Sequence, residues 1–422
     1  MRKTAILTGS TIASAIAVVC SGLLPAHMAV AAPRVSLPPT FLSLSFPTSQ
    51  SGFVAATKNI SFFLLGTQDG GHHWASHKLR FGVDSPVISP THNESTGGPI
   101  EFVDAHDGWI MGYSLIKCQP EAPQGQATCD DGLYATRDGG ATWSRQIGLG
   151  HSGLIMGFQF LNRMTGWILT SRCRLPVGHV RRYYSGGGML CGFDKQILGT
   201  SDGGRHWIPI HWQLPGIDSF HFNNARFGWA VTGPPPKSQL GSPDCSASVY
   251  VTSNGGAAWR KVLPLPDECQ TLVSFPNKLT GWVLSSNSET CTSSGCPSVG
   301  LRFTRDGGKS WSFREVPKSA WPGTMGFPQE IQFRSPQAGW VSFQLGQSLE
   351  TAGGIATTTN GGRTWQRSLP CYEVEPGAVA APGSRFLWLA GAWVNYCAKK
   401  RQSGLFRSQN WGLAWNVQHP TM

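Results

Sequence analysis

The chain has 422 residues, of which 52 are glycine, 17 are tryptophan and only 14% are charged, and its formal net charge is +11. This composition favours many short strands joined by tight turns and excludes a long helical bundle. After residue 35, no apolar run is long enough to span a bilayer as a helix.

The N-terminus has the features of a secretory signal peptide. Arg2 and Lys3 precede the apolar residues 5–24, and small residues ending in Ala-Val-Ala-Ala follow. We therefore predict that residues 1–31 are a signal peptide and that residues 32–39 form a short linker. An uncleaved membrane anchor is the alternative reading of the same segment. In either case the rest of the chain is expected outside the cytoplasm, secreted or retained at the cell surface.

One phrase, Thr-Arg-Asp-Gly-Gly-Ala-Thr-Trp from Thr136, recurs through the chain with the pattern Thr/Ser-x-Asp/Asn-x-Gly-x-x-Trp. We name each copy a box. Asp, Asn and Gly at this spacing are typical of a tight turn that closes a hairpin, and the Trp then enters the next strand. Because some copies replace Asp by Asn, which a general acid or nucleophile would not tolerate, the boxes are predicted to be structural. The box residues are Asp69, Asp138, Asp202, Asn254, Asp306, Asn360 and Asn410.

A second element precedes the boxes: a Phe followed, at a fixed spacing, by a Gly-Trp pair. An apolar residue two positions before each Phe shows the period of two that is typical of a strand. In the seventh copy, Trp388 is the corresponding aromatic residue and Ala381 stands at the Phe position. The phenylalanines are Phe46, Phe102, Phe160, Phe222, Phe275 and Phe333. The paired residues are Gly52-Phe53, Gly108-Trp109, Gly166-Trp167, Gly228-Trp229, Gly281-Trp282 and Gly339-Trp340.

Each unit is predicted to contain four antiparallel strands joined by a Gly-Trp turn, a variable loop and a box turn. Seven units predict an all-β fold, a seven-bladed β-propeller over residues 40–418, whose radial closure protects the sheet edges. The Gly-Trp and box turns lie at one end of the blades, the turn face. The loops between second and third strands and the connectors between blades lie at the other end, the loop face. The predicted blades span residues 40–80, 97–147, 153–211, 217–263, 270–316, 327–369 and 375–418.

Removal of the signal peptide leaves ten cysteines, an even number in a chain expected to leave the reducing cytoplasm. All ten fall in loop-face loops and connectors, where disulfides would brace one face. The simplest connectivity joins sequence neighbours, and the sequence leaves other pairings open. The neighbouring pairs are Cys118–Cys129, Cys173–Cys191, Cys245–Cys269, Cys291–Cys296 and Cys371–Cys397. The cysteine spacing disfavours a metal site, and no cofactor is expected.

The residue just before each Phe projects from the opposite side of the inner strand. This set is mostly polar, and two readings are open: the side chains line the central channel, or they form hydrogen bonds between blades. Its members are Ser45, Glu101, Gln159, His221, Ser274, Gln332 and Ala380.

The box is identified as an Asp-box, or BNR, motif. Paired with the Gly-Trp turn, it resembles the propellers of photosystem II assembly factors and their non-photosynthetic bacterial relatives, over essentially residues 40–418. The resemblance implies a noncatalytic, extracytoplasmic protein that docks on another protein. Asp-boxes also occur in sialidases, xyloglucanases and sortilin-type receptors, so the motif is specific for a fold rather than for a function.

The alternative function is a glycoside hydrolase or glycan-binding protein of the sialidase-like or xyloglucanase-like kind. The chain lacks the Arg-Ile-Pro segment that sialidases carry. Hydrolysis needs two carboxylates roughly 5–9 Å apart across the scissile bond, and candidates lie near the starts of inner strands. A solvated-loop or ion-pair role is the favoured interpretation of these residues. The candidates are Asp218, Asp267, Glu268, Glu330, Glu373 and Glu375.

Partner binding is predicted at the loop face, around the long blade 3 loop of residues 171–195 and the corresponding loop of blade 7. Arginine and tyrosine dominate contact energies at protein interfaces because they combine area with directed hydrogen bonds. The predicted contact residues are Arg172, Arg174, His179, Arg181, Arg182, Tyr183, Tyr184, Lys399, Lys400 and Arg401.

The net charge of the exported chain also indicates which types of partner it could bind. Removing Arg2 and Lys3 from the 34 basic residues leaves 32 against 23 acidic ones, a net charge of about +9. A basic face favours an acidic envelope or extracellular protein, an anionic glycan or wall polymer, or a membrane surface, and the export signal disfavours nucleic acid. Scattered solubilising charge is the alternative explanation. The sequence thus predicts a noncatalytic binding or assembly scaffold that presents loops on a rigid ring.

Overall fold

The residues described by the computed structural model of the protein form thirty β-strands. The residues that it describes contain no helix, and hence none that could cross a membrane. They belong to one compact unit, Leu37–Met422, and residues 1–38, which include the predicted signal peptide, lie outside the description. The described residues are 39–58, 61–79, 86–87, 100–114, 130–149, 153–174, 190–210, 214, 216–233, 246–266, 268–287, 299–317, 326–345, 352–368, 372–374, 378–380, 386–395 and 400–420.

The strands form seven antiparallel sheets, each built from one contiguous stretch of chain. Blade 1 contains β1 (Thr40–Ser45), β2 (Gly52–Lys58), β3 (Ser61–Thr67) and β4 (Ala75–Lys78). Blade 2 contains β5 (Pro86–Val87), β6 (Ile100–Phe102), β7 (Gly108–Ser114), β8 (Asp130–Thr136) and β9 (Ser144–Gly148). Blade 3 contains β10 (Gly153–Phe160), β11 (Gly166–Arg174), β12 (Leu190–Thr200) and β13 (Ile208–Pro209). Blade 4 contains β14 (Ile217–Phe222), β15 (Gly228–Thr232), β16 (Ala247–Thr252) and β17 (Arg260–Leu265).

The last three blades repeat this arrangement. Blade 5 contains β18 (Glu268–Ser274), β19 (Gly281–Asn287), β20 (Gly300–Thr304) and β21 (Ser312–Glu315). Blade 6 contains β22 (Gly326–Phe333), β23 (Gly339–Leu345), β24 (Ala352–Thr358) and β25 (Gln366–Ser368). Blade 7 contains β26 (Tyr372–Val374), β27 (Ala378–Ala380), β28 (Leu387–Asn395), β29 (Lys400–Ser408) and β30 (Asn416–Gln418). The prediction of an all-β, seven-bladed propeller with four antiparallel strands per blade is confirmed.

The inner strands of blades 2 and 7 are each in two pieces. β5 and β6 both pair with β7, and β26 and β27 both pair with β28. β5 and β26 therefore lie before residues 97 and 375, at which the repeat pattern predicts that blades 2 and 7 begin.

Side chains, rather than shared strands, join the blades in the described part of the chain. Each sheet is hydrogen-bonded within itself, and seven buried apolar clusters occupy the seven junctions between neighbouring blades. β1 of blade 1 contacts β27, β28 and β29 of blade 7. The ring thus closes without either end of the described chain contributing a strand to the other end's blade.

An aromatic stack lies in six of the seven junctions. At the junction of blades 2 and 3, Trp109 lies on Phe160 of the next blade with ring centroids 3.6 Å apart and planes 9° apart. Trp207, from the box of blade 3, meets the same Phe edge-on at 6.1 Å. Such pairs add about 0.5–1.5 kcal/mol each beyond the area that they bury. The other stacks are Phe53–Phe102, Trp167–Phe222, Trp229–Phe275, Trp282–Phe333 and Trp388–Phe46.

The glycine of each Gly-Trp pair is explained by the same Phe. A Cβ atom on Gly166 would overlap the ring of Phe160, so only glycine lets the ring lie against the start of β11. The Phe ring is therefore held between a glycine of its own blade and an aromatic residue of the preceding blade. The same overlap would occur at Gly52, Gly108, Gly228, Gly281 and Gly339.

Blade 7 fills the equivalent space with different residues. It has Ala381 in place of Phe and Leu387 in place of Gly. Leu387 and Trp411 are buried beside Trp340 in the cluster between blades 6 and 7, and Trp411 meets Trp340 edge-on at 6.3 Å. Trp411 occupies a box position that the other copies give to glycine, and it keeps the left-handed backbone with a φ of 60°. Its ring thus compensates for the missing phenylalanine.

Each box turn is a closed hydrogen-bond network. In the second copy, Thr136 Oγ1 donates to Asp138 Oδ1 at 2.8 Å and accepts from the N–H of Gly140 at 2.9 Å. The same Oδ1 accepts from the N–H of Thr142 at 2.9 Å, and Trp143 Nε1 donates to the Gly140 carbonyl at 3.0 Å. All seven copies use one side-chain oxygen of Asp or Asn to accept the equivalent backbone N–H.

The second carboxylate oxygen distinguishes the Asp copies from the Asn copies. In the Asp copies it accepts from a side chain four residues later, namely His73, Thr142, His206 or Ser310. Two of the Asn copies have alanine there, Ala258 and Ala414. In the third, Asn360 Nδ2 donates to Thr364 Oγ1 at 2.7 Å. Asp therefore occurs in the boxes where the side chain four residues later donates a hydrogen bond to the second carboxylate oxygen.

The same hydrogen bonds change the acidity of the boxes. Bonds from the backbone and ring of His73 hold the pKa of Asp69 well below its usual range, and His206 does the same for Asp202. A carboxyl group with a depressed folded-state pKa stabilises the protein above its unfolded pKa, and this contribution is lost as the pH falls through the folded value. The turns at Asp69 and Asp202 therefore lose this stabilisation in acid, whereas the Asn boxes do not titrate.

Asp138→Ala should lower the free energy of unfolding by about 1 kcal/mol, because Oδ1 and its hydrogen bonds are lost. Asp138→Asn should stay near wild-type stability, since Oδ1 is retained and the new amide can donate to Thr142 as Asn360 donates to Thr364. Chemical denaturation of both variants measures the difference. Equal losses in the two variants would contradict the role assigned to Oδ1.

Trp411→Gly should lower the free energy of unfolding by about 2–4 kcal/mol. The substitution empties the space beside Trp340, which costs more than is recovered by relieving about 1 kcal/mol of left-handed backbone strain. Leu413→Ala is the control, because Leu413 is 61% exposed and its truncation should change stability by less than about 0.5 kcal/mol. A Trp411→Gly variant as stable as the wild type in urea denaturation would show that the ring does not fill the junction.

Candidate partner-binding face

The strands of blades 3 and 7 bring the ends of the two predicted basic loops to one face. In blade 3, Arg174 at the end of β11 pairs with Leu190 at the start of β12. In blade 7, Asn395 at the end of β28 pairs with Lys400 at the start of β29. These strand ends lie opposite the Gly-Trp and box turns, so both open onto the loop face.

Among the predicted contact residues, the structure describes the side chain of Arg172. It lies near the end of β11 and is exposed. For Arg174, Lys400 and Arg401 the backbone is described, in β11 and β29. The contact surface as a whole stays a prediction. The contact residues outside the described part are His179, Arg181, Arg182, Tyr183, Tyr184 and Lys399.

The disulfide pairing also stays a prediction. The expectation that all ten cysteines lie in loops and connectors is wrong for those that the structure describes, because strand pairing extends beyond the predicted loop ends. Cys173 in β11 and Cys191 in β12 lie on paired strands, close to the pair formed by Arg174 and Leu190. Cys269 lies in β18, and the other seven cysteines of the exported chain lie outside the described residues. Among the described side chains, no three His, Cys, Asp or Glu residues are grouped closely enough to hold a metal ion.

Two of the candidate catalytic carboxylates are paired with basic neighbours. Asp218 in β14 of blade 4 forms an ion pair with Lys195 in β12 of blade 3. Glu268 in β18 is held by Arg302, whose guanidinium contacts the two carboxylate oxygens at 2.5 and 3.0 Å and also donates to Ser285 at 2.8 Å. Both carboxylates therefore have the ion-pair role. The structure does not describe the side chains of Asp267, Glu373 and Glu375.

Glu330, the remaining candidate, has a different environment. It lies in β22 opposite Ser342 of β23, and burial raises its pKa to about 7. Ser342 Oγ is itself buried without a hydrogen-bond partner among the described residues. A carboxyl group with a pKa near neutrality can hold or release a proton at physiological pH, as a general acid must.

Four of the polar residues that precede a Phe accept an interblade hydrogen bond from the N–H of the next blade's Phe. Gln159 of blade 3 accepts from the N–H of Phe222 in blade 4 at 2.8 Å and donates to the carbonyl of the same residue at 2.9 Å. The sequence allowed these side chains either to line the central channel or to form hydrogen bonds between blades. These contacts agree with the second prediction, because buried polar groups need partners. Equivalent acceptors for the N–H of the next blade's Phe are Ser45, Glu101 and Ser274.

Glu101 has a carboxyl group where the next blade uses the amide of Gln159. Its Oε2 accepts from the N–H of Phe160 at 2.9 Å. Burial raises the pKa of Glu101 to about 8, against the smaller opposing effect of that hydrogen bond. At neutral pH the group is therefore mainly protonated, and a neutral acid resembles an amide. His221, in the same set, has its pKa lowered to about 4 by burial and is neutral.

Sequence reasoning missed the partners of these residues. The Lys195–Asp218 pair and the Gln159–Phe222 hydrogen bonds each join different blades, and the reading of one repeat contains no information about its neighbour. The available signal was a polar residue between two buried apolar ones, as in Ile100-Glu101-Phe102. That signal predicts a need for a partner without naming it.

The fold is similar to solved propeller structures at low sequence identity. YCF48, solved with a bound D1 peptide, is 16% identical with a TM-score of 0.50, and the match covers 89% of this chain and 95% of that one. The β-propeller domain of the Trilobed protease from Pyrococcus furiosus, which has an open velcro topology, is 8% identical with a TM-score of 0.50, covering 90% of this chain and 95% of that one. A GH74 enzyme from Niastella koreensis is 11% identical with a TM-score of 0.45, covering 89% of this chain and 65% of that one.

No protein-family model and no curated protein sequence matches the chain. At these identities the structural similarities establish the architecture alone. The class of protein is thus a seven-bladed β-propeller whose blades are joined by side-chain contacts, and its function has to be argued from its own residues.

The free energy of unfolding of the Glu101→Gln variant, relative to that of the wild type, should increase as the pH rises from about 5 to 8. Because the folded-state pKa of Glu101 is raised to about 8, its contribution is fully present below the unfolded pKa and is lost as the pH approaches 8. Glutamine avoids this loss, so the variant should gain at least about 1 kcal/mol over wild type between the two pH values. Urea denaturation at pH 5 and pH 8 measures the gain.

Gln159→Glu is the matched control for this experiment, since it places a carboxyl group at the equivalent position of the next blade. Its stability should fall relative to wild type as the pH rises over the same interval. If the stability difference between Glu101→Gln and wild type is the same at both pH values, Glu101 does not titrate as its burial requires.

Proposed function

We propose that the chain is a noncatalytic binding or assembly propeller that docks a protein partner on its loop face. The observation that carries the proposal is the pairing of Asp218 with Lys195 and of Glu268 with Arg302. A carboxylate that is already neutralised must lose its partner before it can serve as a nucleophile or an acid, which is costly for a partly buried pair. The ion pairs at the loop-face ends of these inner strands therefore suit a structural role better than a role in hydrolysis.

The ring supports binding by preorganisation. Apolar clusters at every junction and hydrogen bonds between blades hold the strand ends in place, so little conformational freedom is lost when a partner docks. Arg172 is exposed at this face, beside the basic loop between β11 and β12. The propeller of YCF48, solved with a bound D1 peptide, supports a peptide or protein as the type of partner.

We place this function outside the cytoplasm. The signal-peptide features of residues 1–31 support export, and the net charge of about +9 after their removal favours an acidic envelope or extracellular protein. The same basic loops would also suit an anionic glycan, a wall polymer or a membrane surface. The disulfides predicted on the loop face would hold the loops in one arrangement.

A glycoside hydrolase is the second candidate, and Glu330 is the observation that favours it. Its pKa of about 7 suits a general acid, and hydrolysis would need a second carboxylate roughly 5–9 Å away. Glu373 and Glu375 of blade 7 are the nearest candidates along the chain. Polysaccharide hydrolysis by the wild type that is lost in Glu330→Gln would establish this function in place of the first.

Changing Arg181 and Arg182 together to Glu should weaken partner capture at least about tenfold while leaving the fold intact, because charge reversal removes directed contacts at the interface. The measurement uses the immobilised chain without residues 1–31, incubated with the organism's own envelope proteins. The matched control is Arg205→Glu with Arg226→Glu, which reverses two exposed arginines on the turn face.

The proteins captured by the wild type, by the loop-face variant and by the turn-face control are then compared. A protein retained by the wild type and by the turn-face control, and lost with the loop-face variant, supports docking on the loop face. Equal retention by all three proteins contradicts that assignment. Recovery of glycans alone would favour the carbohydrate alternative, and the Glu330→Gln comparison would then test it.

A further inference from the structure

Two blade junctions carry box residues at equivalent sequence positions but differ in charge. Blades 2 and 5 both begin their boxes with Thr-Arg-Asp, which places Arg137 and Arg305 at equivalent positions. The boxes of the following blades carry Arg205 and Arg363 at equivalent positions. The box turns at the junction of blades 2 and 3 are therefore the reference for those at the junction of blades 5 and 6.

At the junction of blades 2 and 3 the arginine has a counter-charge. Arg137 forms an ion pair with Asp107 at 3.3 Å, donates to the carbonyl of Gly203 in the next blade at 3.0 Å, and lies 4.8 Å from the centroid of the Trp109 ring. Asp107 is buried, with 8% of its surface exposed. Asp202, in the box of blade 3, adds a further negative charge on this side.

At the junction of blades 5 and 6 both negative charges are replaced. Thr280 stands in the place of Asp107 and is buried to the same extent, at 8% exposed. Asn360 stands in the place of Asp202. Asp107, which pairs with Arg137 at the first junction, and Asp202 thus both have neutral counterparts at the second junction.

A third arginine joins the second junction. Arg314 in β21 is the third residue after the box Trp, as Gln146 is in β9, and it donates to the carbonyl of Gly361 at 3.1 Å. Unlike Gln146, which lies at a shift of strand register, Arg314 is paired directly with Leu301 of β20. Its guanidinium lies 4.2 Å from the centroid of the Phe303 ring, and that of Arg305 lies 5.8 Å from the same centroid. The hydrogen bond and the ring fix the orientation of Arg314.

The guanidinium group of Arg314 is repelled by those of Arg363 and Arg305. The pKa of Arg314 is lowered, first by burial and then by the charges of Arg363 and Arg305, yet arginine stays protonated. Among the residues that the structure describes, no carboxylate forms an ion pair with any of the three, and Glu315 alternates to the other side of β21. A bound anion would relieve this repulsion and so stabilise the folded state.

We propose that Arg305, Arg314 and Arg363 form an anion site on the turn face that binds a phosphate group, free or esterified. Phosphate offers up to two charges near neutral pH and several oxygens, so guanidinium groups from three elements can each donate to it. A carboxylate offers one charge and two oxygens, a poorer match for three arginines. The site lies on the face opposite the proposed partner-binding loops and does not depend on them.

The experiment titrates the folded chain without residues 1–31 with inorganic phosphate and, separately, with methyl phosphate, at an ionic strength held constant with chloride. Calorimetry and phosphorus NMR should both detect binding to the wild type. Thr280→Asp supplies the equivalent of Asp107, and Arg314→Gln removes one of the three guanidinium groups. Each variant should bind phosphate at least about tenfold more weakly. Thr280→Asp copies a residue of the first junction, and Arg314 is partly exposed in the outermost strand of its sheet, so the fold should tolerate both substitutions, which a melting curve checks.

Arg205→Gln, at the junction of blades 2 and 3, is the matched control and should bind phosphate as the wild type does. Binding of inorganic phosphate alone would identify the free ion as the ligand, and binding of methyl phosphate as well would identify phosphate esters. Either result supports the site if Thr280→Asp and Arg314→Gln weaken it. No binding to the wild type, or equal binding by the wild type and both junction variants, overturns the proposal.

Discussion

The stack of an aromatic residue from one blade on a phenylalanine of the next is the contact on which the rest of the structure depends. The turn glycine is required because the Phe ring lies against it, the box Trp meets the same ring edge-on, and a polar side chain of the preceding blade binds the N–H of that Phe. Three separate sequence features therefore converge on one ring. Blade 7 shows that what must be satisfied is filled volume rather than residue type, because Leu387 and Trp411 occupy the junction where Ala381 replaces Phe.

Much of the architecture could be predicted from the sequence because its signals are local. The period of two before each Phe predicts strands, and the recurrence of the box predicts the number of blades. Nothing within one copy indicates that Trp109 stacks on Phe160 of the next blade rather than on Phe102 of its own. The same limit applies to Asp218, whose position near a strand end was predicted but whose partner Lys195 comes from another blade.

The predicted contact residues show where sequence reasoning has least to work with. Long loops such as the one between β11 and β12 have no period that fixes the direction of a side chain, so Arg181 and Tyr183 could be chosen only by residue type. Copies within one chain offer a stronger kind of evidence. Since the blades share the Gly-Trp and box turns, each copy of these turns is a reference for the others, and the replacement of Asp107 by Thr280 stands out against that reference.

Among the strands that the structure describes, the ring closes without strand exchange, and this also affects how such a chain can change over evolutionary time. Every sheet is one contiguous stretch, so a duplication or deletion of one repeat adds or removes a complete blade and breaks no backbone ladder. The cost of such an event falls on the two newly adjoining surfaces, which must restore one aromatic contact and one buried cluster. The seam between Trp388 and Phe46, where the two ends of the propeller meet, stacks at 4.4 Å and already satisfies that requirement. A gene of this kind can therefore grow or shrink by whole structural modules.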